Sequence, residues 1–313
     1  GCLFDISNVS FVGSIGNQGN VQGWFYDAQI KDGSKFDNWT FPSVSWALTQ
    51  FFFDAHVPSN DATISMQNWT LPNNSSTSVS QLFRNLQTDS GSGTNLTLNL
   101  SNWNFGNISS LISFMNNARM SSIIGLSTWV ANNLQNISNA FATTASLGIN
   151  ANDNFTTSFW NNSNITNCNF AFRSLGANTN STTAGAFPSL NGITIASGAS
   201  FLSIFENSAF NGDASFTGVN FPSSAIDFSL AFYTAEFFNS NSKIDFSNTT
   251  VKFSNLSSAF RRLVLDELIF GNNVDFSATT NFLRMFKANT LDNSQQGPVG
   301  SVNFPTYNPS VAT

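Results

Sequence analysis

The feature that most constrains this chain is a short unit that recurs along it, and Leu98 to Ala118 shows the unit whole. Leu98 and Leu100 alternate with polar residues and run into Asn102-Trp103, the period of a half-buried strand. Ile108, Leu111, Met115 and Ala118 then fall at i, i+3, i+7 and i+10, a spacing that predicts one apolar face of helical turns. A stretch this short cannot bury either face alone, so copies of it must stack on one another.

The copies align on an aromatic or Met anchor: Phe25, Phe52, Phe83, Met115, Phe141, Phe172, Phe205, Phe232, Phe260 and Phe286. Successive anchors are 27, 31, 32, 26, 31, 33, 27, 28 and 26 residues apart, an irregular period typical of solenoids. Val44/Leu48/Phe52/Ala55, Ile165/Cys168/Phe172/Leu175 and Phe253/Leu256/Phe260/Leu263 repeat the helical spacing. Ser and Asn crowd the outer positions and suit helix interiors poorly, so short helices or single 3₁₀ turns are expected. The strand half reads apolar–x–apolar–x–x–Trp at Ile64/Met66/Trp69, Leu98/Leu100/Trp103 and Ile124/Leu126/Trp129, with weaker copies at Ser34/Phe36/Trp39 and Phe155/Thr157/Trp160. Beyond residue 160 the Trp is lost while alternation persists, as at Ile193/Ile195, Ile244/Phe246 and Val302/Phe304.

Composition fits a stacked array with a neutral exterior. Hydrophobic residues make up 41% of the 313, but charged residues only 9%, and Asn, Ser and Thr supply the surface instead. Phe outnumbers Tyr by 34 to 3, which points to repeated core filling without a polar handle. A formal net charge of −6 gives no basic footprint for nucleic acid, and no run approaches a transmembrane helix. No linker or charge run divides the chain. Residues 1–313 read as one domain: a partial coil over 1–24, coils over about 25–300 and a terminal strand in 301–313.

Leu98-x-Leu-Ser-Asn-Trp, followed by Asn-Ile, a turn and Phe-Met-x-x-Ala, resembles the BspA-type leucine-rich repeat of bacterial and mycoplasmal surface proteins. Ser-Asn-Ala-Phe at 138–141 and Ser-Ser-Ala-Phe at 257–260 fit the same turn. The pattern covers most of the chain and is nearest between about residues 36 and 172. It departs where the family's turn Cys becomes Ala55, Leu86, Ala118, Leu175 or Ala235, and where the later strands lose Trp. The resemblance implies a leucine-rich-repeat-like right-handed solenoid of about ten coils, with a parallel β-strand ladder of roughly 45–50 Å, used for adhesion or recognition at a surface.

Catalytic chemistry finds little support. His56 is the only histidine, so neither a triad nor a multi-His zinc site is available, and no Cys-x-x-Cys pair substitutes for one. His56 reads as a loop or turn residue. Cys168 occupies a slot filled by Leu111, Ile137 and Leu256 elsewhere and reads as a buried thiol; Gly1-Cys2 reads as an ordinary terminus, not a lipidation site. Asp266-Glu267 is the only adjacent acidic pair and reads as a solvated turn, not a glycosidase pair. Gly13-x-x-Gly16-x-x-Gly19 lacks the Lys of a phosphate loop, and the Asn-x-Ser/Thr tripeptides at Asn38, Asn68, Asn107 and Asn248 arise freely in such a composition. No catalytic residue, cofactor or metal is assigned.

Two surface rows remain. Arg84, Arg173, Arg261 and Lys287 follow their anchors and read as long side chains lying over a Phe-rich core, with a sparse ladder for an anionic glycan as the sharper alternative. Outward strand positions Ser65, Asn99, Gly125, Thr156, Thr194, Ser215 and Asp245 would stack into a flat polar face, of which Ser65, Asn99, Thr156, Thr194, Ser215 and Asp245 are the candidate ligand residues. The function expected is a non-catalytic recognition or adhesion protein on a cell surface or virion exterior, binding a protein or glycan. The alternative is a structural subunit of a surface assembly such as a tail fibre, capsid decoration or filament, self-associating through uncapped ends. No nucleic-acid partner and no membrane insertion are expected.

Overall fold

The computed structural model describes residues 3–10, 18–41, 45–58, 61–88, 95–144, 146–179, 183–287 and 301–304. Cys2, Gly13, Gly16, Val44 and the part of the expected terminal strand beyond residue 304 lie outside them. The regular structure is mostly β-strand in parallel sheets, with almost no helix. Strand Asp61–Ser65 pairs in parallel with Asn95–Asn99, placing Ile64 opposite Leu98, and Asn95–Asn99 pairs in turn with Ser122–Ile124. Bridges from Asp5 to Lys35 and from Lys35 to Ser65 carry the same row toward lower residue numbers. Farther along, Ala214–Ser215, Lys243–Asp245, Glu267–Ile269 and Ser301–Asn303 form a four-stranded parallel sheet in chain order. Parallel neighbours need a long crossover between them, and here the crossover is the anchor segment itself.

Those anchor segments are not helical. Among the described residues there is no α-helix, and a single 3₁₀ turn, Leu126–Thr128, sits in a strand half. Around Met115, Phe114 N–H donates to Leu111 O, Asn116 N–H to Ser113 O and Ala118 N–H to Met115 O, so turns follow one another every two residues. The intervening groups cross to the next repeat: Ser113 N–H to Ser138 O, Met115 N–H to Ala140 O and Asn117 N–H to Ala142 O. Each N–H is thus used, alternately within the turn and between repeats. The geometry requires left-handed backbone two residues before and two after the anchor. Ser113 and Asn117 have φ 53° and 56°, Gln81 and Asn85 have 58° and 59°, and Phe170 and Ser174 have 59° and 57°. Two turns, each with its left-handed residue in third place, reproduce the apolar spacing of a helix without being one.

A second local device opens seven of the ten turns. Five residues before the anchor stands Ser78, Asn136, Asn167, Ser200, Asp227, Asn255 or Asn281, whose side-chain oxygen accepts the N–H two residues on, at 2.9–3.4 Å. These short polar side chains hold the entry bend by hydrogen-bonding their own backbone.

Inside, rings stack repeat upon repeat. Phe141–Phe172, Phe172–Phe205 and Phe205–Phe232 have centroids 5.4, 5.6 and 5.0 Å apart and planes within 24°. Trp39, Trp69 and Trp103 form a parallel column at 5.0 and 4.9 Å. These indoles and that of Trp129 donate backward to a carbonyl of the preceding repeat: Trp39 to Ile6, Trp69 to Phe36, Trp103 to Met66 and Trp129 to Leu100. Trp160 breaks the rule and donates forward, to Ser189 O at 2.9 Å, where the strand pattern degrades. Phe216, Phe246, Phe270 and Phe304 then form a column at the second apolar strand position, and Thr249 takes a Trp slot, its Oγ1 donating backward to Phe216 O at 3.1 Å.

One strand differs from its reading by a residue. Ile123, not Ile124, lies opposite Leu98 and is buried, whereas Ile124 is 45% exposed. Gly125 absorbs the extra residue with φ 101°, returning Leu126 to the interior; a Cβ there would lie 2.3 Å from Ser101 Cα. The repeat anchored on Phe286 also differs from the buried norm, with Phe282 49% exposed and Phe286 39% exposed.

Candidate functional site

The six strand-face candidates do not form one face. Ser65 and Asn99 are register partners, as are Ser215 and Asp245, so the array brings together two separate pairs. Thr194 lies in an isolated bridge to Asn220, and Thr156 lies outside any strand. Their polar atoms are also largely engaged. Ser65 Oγ donates to Asp37 Oδ1 at 2.6 Å, and Asn99 Oδ1 accepts Ser101 Oγ at 2.8 Å. Ser215 Oγ accepts Thr217 N–H, Asp245 Oδ1 accepts Ser247 N–H, and Thr194 Oγ1 accepts Asn220 Nδ2. These residues close the bend at the strand end. Thr156 Oγ1 is buried without a partner, an orphan hydroxyl at the irregular repeat around Trp160.

A row of left-handed asparagines follows the first strands, with Asn68 and Asn102 each three residues past Ser65 and Asn99. Asn8, Asn38, Asn68 and Asn102 have φ 60–63°, and each amide donates to the preceding one at 2.7–2.8 Å. Two of the tripeptide asparagines therefore belong to a scaffold ladder. Asn tolerates this backbone better than any residue except Gly, and stacked amides satisfy one another without charge.

The acids and thiol are equally occupied. Asp153 caps the Gly125–Thr128 bend, accepting Ser127 N–H at 2.8 Å and Ser127 Oγ at 2.7 Å. Asp266 accepts Ser242 N–H at 2.9 Å, and Glu267 starts a strand, so the adjacent acidic pair is split between two structural tasks. His56, read as a loop residue, instead begins the strand His56–Val57, paired with Gln87–Thr88. Burial pushes the Cys168 thiol far above its ordinary range, and its Sγ donates to Ser200 O. Among the described residues no group of three metal-ligating side chains converges.

The face that varies is the turn face. The residue after each anchor stands at the same place in the turn, yet its identity changes from repeat to repeat: Tyr26, Phe53, Arg84, Asn116, Ala142, Arg173, Glu206, Tyr233, Arg261 and Lys287, of which Ala142 is buried. Large members stack on their neighbours. Tyr26 lies flat on Phe53 at 5.3 Å, Arg84 over Phe53 at 5.4 Å, Arg261 over Tyr233 at 5.2 Å, and Arg173 over Phe170 at 5.5 Å. Where the row shrinks to Asn116 and Ala142 a depression of about 290 Å³ opens, flanked by Arg84 and Arg173. The sequence marks both arginines; it marks the gap between them only as two small residues in an otherwise bulky row.

Compared with family models, with curated proteins and with solved structures, the chain matches none.

Proposed function

We propose that the chain is a non-catalytic recognition or adhesion protein, exposed on a cell surface or virion exterior. Its proposed architecture is a right-handed, leucine-rich-repeat-like solenoid of the BspA type. The observation that carries this reading is the contrast between the two kinds of surface position. The polar strand, bend and ladder residues are spent on the scaffold, whereas the residue after each anchor varies freely on a fixed backbone. A rigid frame with one variable row is what a recognition surface needs, because side chains change there without disturbing the stack. The absence of a transmembrane-length apolar helix among the described residues is compatible with exposure to solvent. The test is binding of labelled protein to intact cells and to immobilised surface glycans and proteins, alongside sedimentation. Saturable binding by a monomer is the expected result; no binding together with defined oligomers or fibres would overturn it.

A structural subunit is the second reading, favoured by one observation. Large apolar side chains are exposed mainly in the repeats at the two extremes: Leu3, Trp24 and Tyr26 at one, Phe282, Leu283 and Phe304 at the other. Such ends stack on further repeats or on another subunit.

A further inference from the structure

We propose that the depression between Arg84 and Arg173 binds an acidic saccharide, a carboxylated or sulfated sugar segment. This rests on the recognition reading and names its ligand class. Three steps of the turn ladder connect the two arginines: Asn85 N–H to Asn116 O at 3.0 Å, Asn117 N–H to Ala142 O at 2.8 Å, and Thr143 N–H to Arg173 O at 2.6 Å. At about 4.8 Å per step, the guanidinium rows stand roughly 14 Å apart along the array. Small side chains at both intervening positions keep that span open, with a volume of about 290 Å³.

The groups around it are those that recognise an anionic sugar. Neither guanidinium has a carboxylate within ion-pair distance among the described residues, on a chain whose net charge is −6. Arg84 rests on Phe53 and Arg173 on Phe170, which fixes each fork, and Arg84 Nε is buried without a hydrogen-bond partner. A stacked, unpaired guanidinium is preorganised for a carboxylate or sulfate. Between them lie amides suited to sugar hydroxyls. Asn117 Nδ2 donates to Asn85 Oδ1, and among the described residues the Asn117 carbonyl oxygen and the Asn139 amide take no further side-chain hydrogen bond. The charge at each end fixes the ligand's position, and the amides between read its hydroxyls.

The test uses the full chain and three probes: trigalacturonate, a heparin-derived sulfated tetrasaccharide, and neutral maltotriose, each titrated calorimetrically at two salt concentrations. The expected result is that one or both anionic probes bind, more weakly at high salt, and that maltotriose does not. Whichever anionic probe binds identifies the anion as carboxylate or sulfate. Arg84→Gln and Arg173→Gln should each weaken binding at least tenfold, Asn139→Gly several-fold, and Arg261→Gln, in the same row but outside the depression, less than twofold. Unchanged melting temperatures separate loss of binding from loss of fold, and Asn139→Gly, which keeps the left-handed backbone at φ 54° unstrained, tests the site without touching either stacked arginine. Equal binding of maltotriose, equal loss in Arg261→Gln, or no binding of either anionic probe would overturn the assignment. If neither anionic probe binds while the chain still adheres to cells, the recognition reading survives without this site; if adhesion also fails, both fall.

Discussion

Phe232 offers a test of the stacked interior because its ring is fully buried and enclosed on all sides by other rings. Its centroid lies 5.0 Å from Phe205 and 6.0 Å from Phe260 along the column, with Phe216, Phe228 and Phe237 at 6.1–6.3 Å around it. Phe232→Ala removes the ring and leaves a void that neighbours pinned by the turn ladder cannot readily fill. The transfer and cavity contributions together predict a loss of about 3–5 kcal/mol. Phe286 stands in the same column, 5.8 Å from Phe260, but is 39% exposed. Phe286→Ala should cost about 1–2 kcal/mol, because part of its transfer term is already forfeited and no closed void forms. Urea titration followed by tryptophan fluorescence and by circular dichroism measures both, and coincidence of the two probes checks that unfolding remains cooperative. Equal losses in the two variants, or a loss below about 1.5 kcal/mol for Phe232→Ala, would refute the stacked-column account.

Three further outcomes follow from other features. Asn68→Ala should destabilise by about 1–2 kcal/mol by denaturant titration, because Ala is strained at φ 60° and the amide ladder is cut; Asn68→Gly should recover part of that loss by relieving the backbone alone. Hydrogen bonds from Ser277, followed by the Lys252 ammonium at 3.2 Å, hold the Asp275 carboxyl below its usual range. A depressed carboxylate contributes stability above its unfolded pKa and loses it as pH falls through the folded one, so Asp275→Asn should slightly flatten the acid side of the stability profile; an unchanged acid limb would count against the interaction. Cys168, protonated at neutral pH by burial, should resist iodoacetamide in the native protein and react once urea unfolds it, as mapped on the Cys168 peptide; rapid native labelling would contradict its burial.

The anchors were legible because burial repeats with them. Leu48, Phe52 and Ala55 are inside, and so are Leu111, Met115 and Ala118. What the spacing misidentified was the backbone, since consecutive turns and a helix place apolar residues at nearly the same intervals. The discriminating signal lay in the polar residues two places either side of the anchor, such as Asn85, Asn117 and Asn207, which tolerate positive φ. The polar strand face was misjudged for a related reason. Outward-facing Asn99 and Asp245 look free in sequence, but a short acceptor at a strand end turns back to the N–H two residues on. The register slip at Ile123 was hidden because Ile123 and Ile124 are equally apolar, and only Gly125 hinted at a kink. The depression at Asn116 and Ala142 required aligned repeats, since its defining property is missing bulk between two arginines.

The alternating bonds of the anchor turns carry one more consequence, which is polarity. From Phe25 N–H to Phe51 O through Phe260 N–H to Met285 O, the crossing N–H groups of the turn column point toward higher residue numbers. The peptide dipoles therefore add along the array, as in an α-helix but with the opposite sense: donors face the high-numbered end and acceptors the low-numbered end. Two copies meeting head to tail would continue the column, donor to acceptor. Two copies meeting head to head would oppose donors with donors, so growth by stacking would be directional and would yield a filament with two unlike ends.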